Sequence, residues 1–366
     1  MTKILPMIGV IVLATMLVAG IVAIMDSIPL SIRTTYGYSK AYLGVSPRGD
    51  NELTPKLRSI LETESPVPIG DLKKCRASNF EVRSIVGPWQ FVIIGLQEPD
   101  VPAYIERMGG GKLEGRLPSP GMPEAVVSAP LARNLGIGLG GVLLSPETQD
   151  SYSPMPVKVV GIVDSHLWLA LTSFEYLALY HMPPIDLLIA MSADPAQQAD
   201  LDSWTVERFS SERARVFTFA ELEKQTDGMF EILYMILNVV IGLLVVVITV
   251  MMSLLMGIYV DQRMNEFGLL QALGFTRDRL VRRSLVEAVL VVGLGWLLGV
   301  LVSFGFLSIV KSALFDPNAF MIDPWSPRAY AYTLPIPVAI ATAVSVIVVG
   351  RFRRFDPIVV IERRSA

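Results

Sequence analysis

Apolar and polar positions alternate along this chain on two length scales. On the long scale, Ile4 to Met25 is apolar and uncharged, and Tyr332 to Gly350 is a shorter apolar run broken near its start by Pro335 and Pro337. Between them, Ile232 to Tyr259 and Leu285 to Val310 are each long enough to cross a hydrocarbon core at about 1.5 Å per helical residue. On the short scale, inside the interruption Asp26 to Gly228, β-branched or apolar stretches predict strands at Val82 to Val86, Gln90 to Gly95, Ala125 to Ser128, Val157 to Val163, Ile185 to Met191 and Arg215 to Phe219. Helices are predicted at Pro55 to Glu64, Pro130 to Leu135, Phe174 to Tyr180 and Ala196 to Ser210, and Phe219 to Met229 reads as helix continuing into the second span. The expected fold class is an α-helical membrane protein with four transmembrane helices, one plus three, and a large mixed α/β domain between the first and second. The expected domains are a first transmembrane helix over 1–25, the α/β domain over 26–228, and a three-helix domain over 229–366 with a charged loop near 260–283. The interruption, roughly 200 residues, is ample for one core or for two subdomains divided near Pro118 to Pro123.

Composition supports the mixed architecture: 52% hydrophobic residues with a mean hydropathy of +0.51 is too apolar for a soluble domain and too polar for an all-membrane chain of 366 residues. The net charge of −3 comes with no basic stripe interleaved with aromatics, which sets nucleic acid aside as a partner. The first run exceeds a signal-peptide core, only Lys3 precedes it as a basic residue and no A-x-A site follows, so an uncleaved span is expected. Cys75 is the only cysteine, which rules out an internal disulfide and suggests a buried, inert thiol. Arginines set the orientation. Arg263, Arg277, Arg279, Arg282 and Arg283 follow the second span and Arg351, Arg353, Arg354, Arg363 and Arg364 follow the fourth, whereas Lys311 and Arg328 alone lie between the third and fourth. Both termini and the arginine-rich loop are therefore expected in the cytoplasm, with the α/β domain outside.

Motifs that would signal an enzyme do not survive their context. Gly136-Ile137-Gly138-Leu139-Gly140-Gly141 fits G-x-G-x-x-G but follows a predicted helix and precedes a strand, the reverse of a dinucleotide site, so it reads as a turn. Gly109-Gly110-Gly111-Lys112 lacks the Ser or Thr that a phosphate loop needs next, since Leu113 stands there, and Glu106 replaces its first glycine. His166 and His181 belong to no spaced cluster of metal ligands, and no G-x-S-x-G elbow is present. No metal and no cofactor is expected on this chain.

Polar and small residues in the spans carry more information. Gly295, Gly299 and Ser303 recur every four residues on one face of the third span, a spacing that lets two helices approach closely within or between subunits. Glu231 and Glu287 lie near span ends, where anchoring or local pairing is expected, and Asn238 is placed to hydrogen-bond across helices. In the charged loop, Met264, Phe267, Leu270 and Leu273 fall at three-residue spacing on one helical face. Gly274 is suited to the left-handed stop and Thr276 to capping the next helix, whose first turn holds Asp278. Such a face either lies in the headgroups or fills a groove on a soluble partner.

These residues resemble a family. Arg263-x-x-Glu266-Phe267-Gly268-x-Leu270-x-Ala272-Leu273-Gly274-x-Thr276, with Glu287 downstream and Arg353-Phe355-Asp356-Pro357 near the C-terminus, is similar to the FtsX-like permease domain of MacB-type ABC transporters. Gly115-Arg116-Leu117-Pro118, Pro123 to Ser128, Leu131-Ala132, Leu135-Gly136, Gly140 and Val159 to Val163 resemble that family's extracytoplasmic core domain. The resemblance implies a dimeric permease in the bacterial cytoplasmic membrane, in contact with membrane lipid. It pairs with a second copy or a paralogue and docks on a separate ABC ATPase subunit that holds ATP and Mg. It further implies that Arg263, Glu266, Phe267, Gly268, Leu270, Ala272, Leu273, Gly274 and Thr276 carry ATPase docking and coupling. Motion would then pass to the outer domain, for export or extraction of a substrate, with an extracytoplasmic partner. Two other readings stay open: a mechanotransmitter that regulates an extracytoplasmic hydrolase without transport, and a membrane-anchored enzyme, which the missing catalytic constellation disfavours.

Overall fold

A computed structural model describes residues 5–180 and 186–353 of the chain. Its first helix, α1 (Leu5–Thr35), leads into β1 (Leu43–Pro47), α2 (Thr54–Glu64), β2 (Ile69–Ser84), β3 (Gly87–Leu96), α3 (Val101–Arg107) and β4 (Leu113–Gly115). There follow β5 (Glu124–Ser128), α4 (Ala129–Leu135), β6 (Val142–Leu144), β7 (Val157–Val163), β8 (Ala170–Ser173), α5 (Phe174–Tyr180), β9 (Asp186–Ser192), α6 (Gln198–Arg208) and β10 (Ala214–Phe217). The remaining helices are α7 (Phe219–Ala272), α8 (Arg277–Val310), α9 (Pro327–Ala331) and α10 (Pro335–Arg353).

All four long apolar runs are helical, and α1, α7, α8 and α10 lie in segments long and apolar enough to cross a membrane. A helix satisfies its backbone groups internally, which an apolar surrounding demands. Pro335 opens α10, where its missing N–H costs nothing. Two helices outrun their predicted spans: α1 continues past Met25 to Thr35, and α7 is a single 54-residue helix. The charged segment from Arg263 to Ala272 is thus the last part of the second span's helix and not a separate short element. Propensity explains this, because Met, Glu, Leu, Gln and Ala in that segment are all good helix formers and nothing before Gly274 stops the helix.

The chain divides into two compact units. The helical unit comprises the residues up to Asp26, Glu231–Lys311 and those from Asp323 on, and the sheet unit comprises Ser27–Phe230 with Ser312–Ile322. In the sheet unit a ten-stranded mixed sheet runs in the order β10-β1-β9-β2-β3-β8-β5-β7-β4, with β6 also paired to β7. β4 and β5, which flank Pro118 to Pro123, belong to this one sheet, so the alternative of two subdomains is not realised. On the β10 half, α2 and α6 cover Leu43, Val45, Leu188 and Ala190. On the other half, Phe80, Phe91 and Trp168 build an aromatic core, with ring centroids 5.6 Å and 6.0 Å apart in edge-on pairs.

Predicted and observed elements differ where the sequence pattern is weakest. The predicted strand at Val82 to Val86 is the end of the much longer β2, which stops at Ser84 and leaves Val86 in the exposed turn before β3. The earlier part of β2, rich in Lys, Arg and Asp, lacks a β-branched signal and is strand because β9 pairs with it from Ile69 to Arg76, while β3 pairs with the later part from Arg76 to Ser84. Strands β1, β4, β6 and β8 and helix α3 also escape the sequence reading. Phe219 begins α7 and is not in β10, and Ile185 and His181 lie outside the described residues. The glycine cluster from Gly136 is a turn: Gly136 ends α4 at φ 70°, and the Ile137 and Gly136 N–H groups donate to the Ala132 and Arg133 carbonyls. Cys75 is fully buried, and burial pushes its thiol well above the usual range.

Candidate functional site at the turn between two long helices

The turn joining α7 to α8 is closed by a Schellman motif. Gly274 adopts φ 94°, its N–H donates to the Gln271 carbonyl at 2.9 Å, and the Phe275 N–H donates to the Leu270 carbonyl at 3.1 Å. Thr276 then stands at the N-cap of α8 in extended conformation, but its side chain makes no capping bond. The predicted capping hydroxyl is therefore only a capping position. Asp278 supplies the acidic charge in the first turn of α8.

Behind the turn, a polar cluster ties α7 to α8. The Arg263 Nη1 group donates to both carboxylate oxygens of Glu287 at 2.9 and 2.8 Å, while its Nε donates to Glu266 at 3.0 Å. The Tyr259 hydroxyl donates to Glu287 at 2.8 Å and accepts from Arg263 at 2.8 Å. The guanidinium also lies 5.4 Å from the ring centroids of Tyr259 and Phe267. Side-chain exposures of 25% for Arg263 and 32% for Glu287 leave these charge-assisted bonds only partly screened, so loss of either partner costs roughly 1.5–3 kcal/mol. Tyr259 precedes Arg263 by one helical turn, and that spacing is the signal by which the third member could have been found.

The apolar residues of the segment separate into two groups. Phe267 is 4% exposed and packs on Phe352 at the end of α10, with ring centroids 5.1 Å apart. Gly268 is buried and Met264 and Leu270 are half-buried, whereas Leu273 is 71% and Leu269 62% exposed. Phe275 is also exposed. The single apolar face expected through Met264, Phe267, Leu270 and Leu273 is therefore divided. Phe267 faces the helical unit's own core, and the outward face is Leu269, Leu273 and Phe275. Ala272, Gly274, Thr276 and Glu266 are exposed beside it. Phe352 carries a further bond, since its carbonyl accepts from Arg277, and Arg351 pairs with Asp261 at 3.1 Å. Of the motif near the C-terminus, Phe355, Asp356 and Pro357 lie outside the described residues.

The remaining residues singled out from the sequence lie elsewhere in the helical unit. Gly295 and Gly299 are buried against Ile11 and Thr15 of α1, so the small-residue stripe is an interface within the chain. Ser303 is buried, but its hydroxyl bonds back to the Gly299 carbonyl at 2.6 Å and not across helices. Asn238 accepts from the Tyr332 hydroxyl at 3.0 Å, the cross-helix bond its position suggests, and Glu231 is exposed. A second cluster, unforeseen from the sequence, joins Asp26 to the Tyr234 hydroxyl at 3.2 Å and to Arg328 at 3.3 Å. Among the described residues no group of His, Cys, Asp or Glu is arranged to hold a metal ion.

No curated protein matches the chain. Among solved structures, the chain is similar to the extracellular domain of the noncanonic ABC-type transporter YknZ from Gram-positive bacteria, at 13% identity over 48% of this chain and 100% of that one, with a TM-score of 0.29. It is also similar to the periplasmic region of MacB from Actinobacillus actinomycetemcomitans, at 11% identity over 51% of this chain and 92% of that one, with a TM-score of 0.28. A domain of a putative permease protein from Porphyromonas gingivalis matches at 11% identity over 48% of this chain and 85% of that one, with a TM-score of 0.23. The family model of the FtsX-like permease C-terminal domain matches residues 238–357, which take in most of the α7 helix, the Gly274 turn, α8 and α10. Residues 238–357 of this chain are an FtsX-like permease C-terminal domain, carried on helices apolar enough to span a membrane.

Proposed function

We propose that the chain is the transmembrane permease subunit of a MacB/FtsX-type ABC transporter, coupled to ATP hydrolysis on a separate ATPase subunit that holds ATP and Mg. The observation that carries this reading is an exposed apolar trio, Leu269, Leu273 and Phe275, on a rigidly capped turn inside the FtsX-like domain. Isolated exposed leucines are common, but adjacent ones beside a turn closed by backbone bonds make a preformed knob for a groove on a partner. Arg263, Phe267 and Gly268 support that knob from behind, with Leu270 between the two roles, while Glu266, Ala272, Gly274 and Thr276 border it. The arginines at Arg279, Arg282 and Arg283 border it on α8 and favour a cytoplasmic location for this end, with both termini on the same side of a bacterial cytoplasmic membrane. A second copy or a paralogue completes the permease, and movement of the sheet unit serves export or extraction of a substrate.

The test is copurification from native membranes in gentle detergent with the ATPase subunit quantified by mass spectrometry. Leu269→Asp combined with Leu273→Asp is expected to remove the ATPase subunit while leaving membrane insertion and the helical content intact, because a charge is then presented to an apolar groove. Phe267→Ala is expected instead to destabilise the helical unit. Stoichiometric ATPase recovery with the double Asp variant would refute the docking assignment.

A further inference from the structure

The half of the sheet formed by β10, β1, β9, β2 and β3 is covered unequally on its two faces. One face lies under α2 and α6 over β10, β1 and β9 and under α5 over β3. On the opposite face α3 covers one end, with Val101 and Tyr104 over Cys75, Ile94 and Ile189. The other end of that face opens as a cavity of about 670 Å³, within the range of pockets that take drug-sized ligands.

The hollow follows from small side chains on the strands that floor it. Gly44 of β1 lines the cavity without a side chain of its own, and Leu187 and Phe217 close in beside it: a β-carbon there would stand 3.1 Å from Leu187 and 3.5 Å from Phe217. Ser46 is turned down onto the sheet, its hydroxyl donating to the Asp186 carbonyl at 3.0 Å. Ala77 and Val92 continue the apolar floor, and Tyr38 and Leu222 form its sides. Leu222 lies on α7, the helix whose apolar run begins at Ile232.

The rim is basic at one corner. Arg48 and Arg215 line it: the Arg48 N–H donates to the Arg213 carbonyl at 2.8 Å, and Arg215 pairs in register with Ser46 on the neighbouring strand. All these arginines are exposed, and among the described residues none has a carboxylate partner. The acidic residues nearby are engaged elsewhere: Glu212 by Lys56 at 2.6 Å and Arg208 at 3.6 Å, Asp50 by the Glu52 N–H at 2.8 Å, and Asp186, which also lines the cavity, by Lys74 at 2.8 Å and Arg76 at 3.0 Å. An apolar floor with unpaired cations at its edge matches a ligand that has an apolar body and an anionic head. A free anion gains nothing from the floor, and a neutral apolar ligand gains nothing from the rim.

We propose that this cavity binds a single-chain anionic amphiphile, its acyl chain along Gly44, Leu187, Ala77 and Val92 and its head group at Arg48 and Arg215. Binding at this site requires no ATPase subunit, so its test is separate from that of the permease reading.

The experiment uses the full chain in phosphatidylcholine nanodiscs with a palmitate carrying a diazirine in its acyl chain, followed by irradiation and peptide mapping. Adducts are expected on β1, β2, β3 and β9, and excess palmitate should suppress them while excess hexadecanol, which lacks the anion, should not. Arg48→Glu with Arg215→Glu changes only exposed side chains and is expected to lower adduct yield about three- to tenfold. Gly44→Leu crowds Leu187 and Phe217 at the floor and should abolish these adducts, while the Arg variants keep the test independent of whether that substitution folds. Adducts confined to the apolar helices, equal suppression by hexadecanol, or unchanged yield in the double Arg variant would each overturn the proposal.

Discussion

The contact between α8 and α1 gives the sharpest quantitative test of the helical unit. A β-carbon on Gly299 would stand 2.7 Å from Thr15 Cβ, 3.0 Å from its Oγ1 and 3.1 Å from its Cγ2. Comfortable carbon contacts are about 3.5–4.0 Å, so the helices must part by about 1 Å or Thr15 must move. Thr15 is not free to rotate, because it is fully buried and its hydroxyl donates to the Ile11 carbonyl at 2.9 Å. Overpacking of this kind costs about 1–3 kcal/mol, and the better helix propensity of Ala returns up to about 1 kcal/mol. Gly299→Ala is therefore expected to destabilise, and Gly299→Val more so. Gly295→Ala meets Ile11 at 3.1–3.3 Å and should fall between. Gly293, on the same helix with nothing within 4 Å, is the internal control, and Gly293→Ala should be neutral or slightly stabilising. The assay is SDS titration of the full chain in mixed micelles followed by helical circular dichroism. In a double-mutant cycle with Gly299→Ala, Thr15→Gly should relieve the strain, with a coupling of about 0.5–3 kcal/mol, whereas Thr15→Ala keeps the offending β-carbon and should not. Equal unfolding midpoints for Gly299→Ala and Gly293→Ala would refute the close approach.

Asp202 and the helix-stopping glycine supply two more tests. Burial pushes the Asp202 carboxyl up to about 6 from an ordinary 3.8, only partly offset by the bond it accepts from Gln198 at 2.9 Å. Its folded pKa lies above the unfolded one, so its favourable contribution is complete below about pH 4 and is lost as pH rises through about 6. Asp202→Asn keeps an acceptor for Gln198 and should gain roughly 1–3 kcal/mol over the parent between pH 4 and 7.5, read as slower labelling of buried Cys75 at matched pH; a gap constant with pH contradicts the assignment. Gly274 has open space around it but a φ of 94°, so Gly274→Val should cost about 1–3 kcal/mol through the backbone alone and Gly274→Asn less. Equal unfolding midpoints for the two in SDS titration would remove the strain argument.

The one-plus-three layout of apolar helices was legible in the sequence because length and hydropathy alone decide what can span a membrane, and no tertiary contact is needed to read them. The stop at Gly274 and the turn at Gly136 were legible for a similar reason: each depends on the conformation of one residue and its immediate backbone neighbours. Periodicity also located β3, β5, β7 and β9, where apolar residues crowd each strand. Elements whose burial comes from distant partners were not legible. The polar half of β2 is strand only because β9 pairs with it, and β1 only because β9 and β10 flank it. The same limit divided the apolar face of the turn. Three-residue spacing put Phe267 beside Leu273, but Phe352, some 85 positions further along, draws Phe267 inward and leaves Leu269 and Leu273 outside. Arg263 and Glu287 were each visible as charges near span ends, yet their pairing through Tyr259 required α7 and α8 to lie side by side. Local chemistry determines where helices begin, end and become apolar, whereas which side of a helix is buried depends on contacts between residues far apart in the chain.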